Sequence, residues 1–238
     1  MGNLDSKSEK LFAGKEREVQ EDWDVYWSNQ NKTSSKIYDV FANFYRNNII
    51  KPALNYFIFK HFAPNSLLLH AGCGSGKVDT DLVDEFKVTA LDISYPALQI
   101  YESVNPRKAK LIQASIFEMP FENESFDGIY NLGVMEHFTP DEIQQILIEF
   151  KRVLKPKAKI VLFIPPVFGL TVRVLDTAHF VLNKILKRNV KLHPDEITRV
   201  KSKQHIRQMV ENAGFKFVDY YFGMKDAFTQ VVVVAEKI

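Results

Sequence analysis

Three glycines at alternating positions, Gly72, Gly74 and Gly76, follow directly on the apolar run Leu67-Leu68-Leu69-His70-Ala71. A buried strand that runs into such a loop can turn tightly, and bare glycine backbone lets a ligand come close. A helix behind the loop would add unpaired amides for a polar group. Asp92 stands 20 residues after Gly72, just past a second apolar run, Val88-Thr89-Ala90-Leu91. A carboxylate at that place can accept from both hydroxyls of a ribose. Strand-to-helix turns also need glycine for purely structural reasons, so the loop alone says little. Loop and acid together point to a nucleoside. The dinucleotide fingerprint puts its third glycine three residues after the second. Lys77 stands there in this chain, and the spacing disfavours NAD.

The elements that must hold these residues can be read from hydrophobic period. Short apolar runs recur at Lys110-Leu111-Ile112, Ile129-Tyr130 and Ile160-Val161-Leu162-Phe163-Ile164, with helical patterns near 77–86, 94–104 and 140–154 between them. Thr139, Pro140 and Glu142 form a capping box with proline in the first turn. Strands alternating with helices imply crossover units and a parallel sheet. An aromatic-rich helical leader precedes the sheet, with Trp23, Tyr26 and Trp27, then Tyr38 and Tyr45. Pro52 opens a further helix, Ala53 to Phe62. Residues 165–200 read as a helical insert. The tail reads as a helix from Ser202 to Ala213, stopped by Gly214, then strands at Phe215–Phe222 and Thr229–Ala235.

Composition sets outer bounds. At 46% hydrophobic and 25% charged residues, 238 residues are enough for one large domain with a full core. The 31 basic and 29 acidic residues nearly cancel, which argues against a nucleic-acid polycation. The single cysteine, Cys73, has no disulfide partner within the chain and fits a reducing, cytoplasmic setting. The apolar stretch Ile160 to Val172 holds Pro165 and Pro166 and is too short to span a bilayer, so stable membrane insertion is not expected. No signal-peptide core appears, and Met1-Gly2 with Ser6 matches a myristoylation pattern too short to carry weight.

Beyond the loop, more stretches match one family. These are Met119-Pro120-Phe121 with Ser125-Phe126-Asp127-Gly128-Ile129, Val134-Met135-Glu136-His137-Phe138, Arg152-Val153-Leu154-Lys155-Pro156 and Ala213-Gly214-Phe215. With them the chain resembles the class I S-adenosylmethionine-dependent methyltransferases, in particular the small-molecule enzymes with a type 11 methyltransferase domain. The resemblance implies a doubly wound, seven-stranded α/β sheet in the order 3-2-1-4-5-7-6, with the last strand antiparallel. It also implies site roles. Gly72, Gly74 and Gly76, with Cys73 between them, would embrace the methionine part of S-adenosylmethionine. Asp92 would hold the ribose, and Ile93, Ser115 and Ile116 would border the adenine. Asn131 and Leu132 would sit near the methionyl amine and sulfonium. Aromatics matching Tyr38 and Tyr45 would close over the cofactor. The chain departs from the pattern at His70, where an acid usually meets the methionyl ammonium. It departs again at Ser115, where an aspartate usually meets the adenine amino group, and at Lys157-Ala158, which replace a glycine pair.

Under that resemblance the reaction is an in-line methyl transfer that leaves S-adenosylhomocysteine and chiefly needs alignment and dryness. No His, Cys or carboxylate cluster has metal-ligand spacing, so no metal is expected. His137 is the candidate base for an acceptor proton; its plainer alternative is a hydrogen bond to the loop backbone. The aromatic leader and the insert suggest a partly apolar small-molecule acceptor with oxygen or nitrogen as the receiving atom. The run after the fourth strand, Asn131-Leu132-Gly133-Val134, lacks the pattern of enzymes acting on nucleic-acid amines. One domain is expected: a leader or lid over 1–62, a cofactor core over 63–165, a helical cap over 166–200, and a closing helix and hairpin over 201–238. It would act as a monomer or homodimer. The alternative is a cofactor-binding protein of this fold without transferase activity, motivated by His70 and Ser115. An Asp92 that merely awaits a ligand is expected to support little structure.

Overall fold

The computed structural model describes residues 17, 19–28, 43–169 and 196–238. Each apolar run becomes a strand: β1 (Leu67–Ala71), β2 (Lys87–Asp92), β3 (Lys110–Gln113), β4 (Phe126–Leu132) and β5 (Leu154–Ile164). β6 (Phe215–Tyr221) and β7 (Val231–Lys237) complete one sheet in the expected order, β3-β2-β1-β4-β5-β7-β6. The first five strands pair in parallel. β7 is antiparallel to both β5 and β6, so it alone runs against the sheet. It reads as an unbroken Val231-Val232-Val233-Val234-Ala235 because both its faces are covered, each of these residues being at most 1% exposed.

Two layers of helix cover the sheet. α1 spans residues 19–28, and a π-helical turn, Arg46–Ile50, leads into α2 (Lys51–His61). α3 (Leu82–Glu85), α4 (Tyr95–Val104), α5 (Pro140–Val153) and α6 (Lys203–Asn212) follow. On one face α5 and α6 bury Ile143, Ile146, Leu147, Phe150, Ile206 and Val210 against the strands. On the other, α2 and α3 bury Leu54, Phe57, Ile58, Leu82 and Val83. The capping box at α5 is present: Glu142 N–H donates to Thr139 Oγ1, and Glu142 Oε2 accepts from Thr139 N–H at 2.8 Å. It fixes where the loop after β4 ends. No described helix is long and apolar enough to cross a membrane.

One expected helix is largely missing. Residues 77–81 form turns, and only Leu82–Glu85 is helical. Asp79 is the reason. Its N–H donates to Gly76 O at 3.0 Å, and its fully buried side chain points inward to His70 and Tyr101. A run of helical amides therefore does not stand behind the glycine loop. Of the expected cap over 166–200, residues 170–195 lie outside the described residues. The stretch 196–200 lies along the end of β5, with Val200 N–H on Pro165 O and Val167 N–H on Val200 O, both at 3.0 Å.

Phe62, just after α2, lies flat on Gly128 in β4, where a Cβ would stand 2.1 Å from its ring. Gly128→Ala should therefore lower the unfolding free energy by about 1–3 kcal/mol. Phe62→Leu in the same chain should recover part of the loss, measured by urea unfolding. Equal stability of parent and Gly128→Ala would disprove this packing.

Candidate functional site

The C-terminal ends of β1, β2 and β4 open on one cavity of about 610 Å³, within the usual range of small-molecule sites. His70, Gly72, Cys73, Gly74, Gly76, Asp92, Ile93, Ser115, Ile116, Leu132 and His137 all line it. Asn131 does not. It is fully buried, and its Nδ2 donates to Ala71 O at 2.6 Å, which sets the spacing between the ends of β1 and β4. Tyr38 lies outside the described residues. Tyr45 lines the cavity and donates to Thr229 Oγ1 at 2.7 Å; burial pushes its phenol up to about 12, so it remains a neutral donor.

Asp92 ends β2 and faces back to the loop. Its Oδ2 accepts from Gly74 N–H at 2.8 Å and its Oδ1 from Ser94 N–H at 2.9 Å. Burial raises its pKa, and these amides oppose the rise. A carboxylate has about four lone-pair positions; the Ile93 amide also bears on this one, and the remaining capacity suits a ligand hydroxyl. The expectation that Asp92 supports little structure is overturned: it clamps the glycine loop to the start of α4.

The glycines have separate reasons. A Cβ on Gly76 would stand 2.2 Å from the ring of Tyr101, so this glycine is required by packing inside the protein. A Cβ on Gly74, where φ is +51°, would stand 2.7 Å from Trp27, which lies across the loop from α1. Cys73, between them, is buried, and burial raises its thiol well above the ordinary range, so it stays a protonated, unreactive neighbour.

His70 is backed by an acid that lies elsewhere in sequence. Asp79 Oδ2 is 2.7 Å from His70 Nδ1 and accepts from Tyr101 Oη, also at 2.7 Å. His70 stacks on Tyr130 with ring centroids 4.4 Å apart. An acceptor-only carboxylate makes Nδ1 the donor, and in that tautomer Nε2 is the acceptor.

Long-range packing supplies the rest of the wall. Trp23, Tyr26 and Trp27 of α1 line the cavity, and Ser94 Oγ donates to Asp24 Oδ1 at 2.6 Å, which ties α1 beside Asp92. Trp23 also meets the His137 ring, with centroids 5.2 Å apart. From the far side come Glu196 and Ile197. Glu136 belongs to the wall too and was missed as a functional candidate in sequence, although it stands beside His137 in a quoted motif. Only its burial distinguishes it. It is 6% exposed, its Oε2 has no hydrogen-bond partner among the described residues, and burial, with the Glu196 charge adding, pushes its carboxyl up to about 8.

Comparison with known proteins follows the same outline. Residues 69–162 match a family described as a methyltransferase domain. An uncharacterised protein of Methanocaldococcus jannaschii is 32% identical over 98 residues, 41% of this chain and 40% of that protein. The Probable tRNA methyltransferase 9B of Bos taurus is 28% identical over 102 residues, 42% of this chain and 22% of that protein. The match therefore spans less than half the length of either relative. Among solved structures, the 1,6-didemethyltoxoflavin-N1-methyltransferase of Burkholderia thailandensis, with 1,6-didemethyltoxoflavin and S-adenosylhomocysteine bound, aligns with a TM-score of 0.64 at 14% identity. That alignment covers 100% of this chain and 92% of the other. At that identity the likeness speaks for the fold.

Two stability measurements check this geometry. Asp92→Ala removes the side-chain acceptors of the Gly74 and Ser94 amides and should cost about 1–3 kcal/mol in urea unfolding without ligand; an unchanged midpoint would show that the clamp is idle. Glu136 gives a pH signature. Its native pKa lies above its unfolded value, so the native state holds the proton more tightly. Stability is then lost as pH rises from about 4.5 to about 8. Glu136→Gln should gain on the parent across that window, and parallel stability curves would refute the shift.

Proposed function

Residues 69–162 form a class I S-adenosylmethionine-dependent methyltransferase domain, and from that premise we propose that the chain transfers the cofactor's methyl group to a small, partly apolar molecule bound under α1. The residues present fit the cofactor. The carrying observation is the Asp92 carboxylate, which lines the cavity beside the glycine loop and accepts from the Gly74 and Ser94 amides. It is the ribose anchor. His70 Nε2 offers a lone pair to the methionyl ammonium, and its Asp79 contact supplies negative charge one residue removed. Ile93, Ser115 and Ile116 border the adenine on the same wall. When bound, S-adenosylmethionine supplies a methyl group already activated on a sulfonium. The chain's own contribution is alignment and exclusion of water, with Trp23, Tyr26 and Trp27 as the roof. The bound heterocycle in the Burkholderia thailandensis protein, and the aromatic side chains here, favour a small acceptor over RNA.

Calorimetry should show saturable binding of S-adenosylmethionine and S-adenosylhomocysteine, and release of the latter in the presence of an acceptor library tests transfer against cofactor binding alone. Asp92→Ala should weaken both ligands in parallel by about tenfold to a thousandfold. His70→Ala should weaken S-adenosylhomocysteine by about tenfold while leaving 5′-methylthioadenosine, which lacks the amino-acid end, unchanged. Equal losses for the two ligands would remove His70 from the ammonium site, and absence of any nucleoside binding would end the proposal.

A further inference from the structure

Resting on that methyl-transfer reading, we propose that Glu136 binds an amine acceptor and takes its proton. The residue sits in the 3-10 turn Met135–His137, immediately beyond the end of β4. Its Oε1 lies 4.0 Å from where a side chain on Gly133 would begin, and Leu132, Gly133 and Glu136 line the cavity together. Glu136 is therefore beside the strand end that carries the cofactor wall, and it faces the same space.

The turn holds this carboxyl firmly. Glu136 O accepts from Ile197 N–H at 2.6 Å and Thr198 N–H at 3.0 Å, and His137 N–H closes the turn on Val134 O at 3.1 Å. Despite that support, Oε2 is buried with no partner among the described residues. An unmet buried acceptor is costly, and such groups gather where a ligand completes them. The facing charges do not complete it. Arg199 is committed to Glu196, with Nε 2.6 Å from Oε2 of that acid. Glu196 is a like charge, Tyr45 is a neutral phenol, and the neighbouring His137 turns its ring to Trp23. A cation is the complement, and Trp23 and Phe138 on the same cavity provide the aromatic walls that a cationic amine favours.

The proton step balances. At neutral pH the free Glu136 carboxyl carries its proton and gives it to solvent as the alkylammonium binds; the ammonium then gives one proton to the carboxylate, which leaves a neutral amine with its lone pair free and a neutral carboxylic acid. Two opposite charges become two neutral groups, which a dry site favours. Burial already holds this carboxyl near 8, which makes it a far better base towards an ammonium than an exposed glutamate. The methylated ammonium leaves with the carboxyl back in its resting, protonated form, so one proton reaches solvent per turnover.

The test uses the full chain saturated with S-adenosylhomocysteine and two probes of equal shape, phenethylamine and 2-phenylethanol, in calorimetry at neutral pH. The amine should bind about tenfold tighter or better. Its heat should vary with the buffer's ionisation enthalpy, as close to one proton leaves the Glu136 carboxyl. Glu136→Gln should keep its affinity for S-adenosylhomocysteine and lose both the preference and the proton release. The proposal is overturned if the alcohol binds as well as the amine, if the amine binds without releasing a proton, if Glu136→Gln keeps the preference, or if neither probe binds. The proton count on the parent needs no variant to fold. Failure of S-adenosylhomocysteine to bind would strike the methyltransferase reading itself, and it registers before any probe is added.

Discussion

A carboxylate with no water around it organises the loop after β1. Asp79 is fully buried, and its Oδ2 gathers His70 and Tyr101 at 2.7 Å each. A charge in that position is tolerable only when donors converge on it. The surrounding chain is shaped to deliver them. Gly76 has no side chain, so Tyr101 can approach, and Gly76 O accepts from Asp79 N–H and from Asn105 Nδ2. Turns replace the expected helix as a result, and His70, which lines the cavity, is held against Tyr130.

The cavity has two halves of different origin. The half assigned to the cofactor stands on strand ends in the middle of a fully paired sheet, where Asp92 clamps Gly74 and Ser94 and Asn131 spaces β4 from β1. Such a frame changes little on binding. The acceptor half is assembled from pieces distant in sequence: α1, the turn after β4, and the stretch 196–200 that docks on it through Glu136 O. α1 joins the halves, since Asp24 accepts from Ser94 Oγ while Trp23 meets His137. A shift of α1 would loosen both halves together, which links roof closure to the geometry of the Asp92 end.

Charge follows the same division. Exposed pairs such as Lys51–Asp81 and Lys108–Asp84, at 2.6 Å each, sit outside the cavity and contribute little through water. The groups with consequence are those whose water has been removed. Asp79 holds two donors on Oδ2 while its Oδ1 has none among the described residues, Asp92 accepts from the Gly74 and Ser94 amides, and Glu136 Oε2 accepts from nothing among the described residues.

Local pattern was enough for the sheet. Short continuous apolar runs, the Thr139 and Glu142 box and the glycines after β1 depend on neighbours within a few residues, so they were legible as written, and the family resemblance supplied the strand order that the sheet adopts. The placement of Asp92 at the end of β2 opposite the loop was legible for the same reason. What spacing alone left undecided were contacts across the fold. His70 finds its acid nine residues on because Asp79 turns inward, which also cost the helix expected over 77–86. Asn131 donates its amide across the sheet to Ala71 O. Glu136 reads as an ordinary acid beside His137, and only the burial produced by the docking of residues 196–200 and the roof of α1 makes it exceptional. Sequence carries the identity of a charge, but its solvation is set by whatever packs over it, and that is decided in three dimensions.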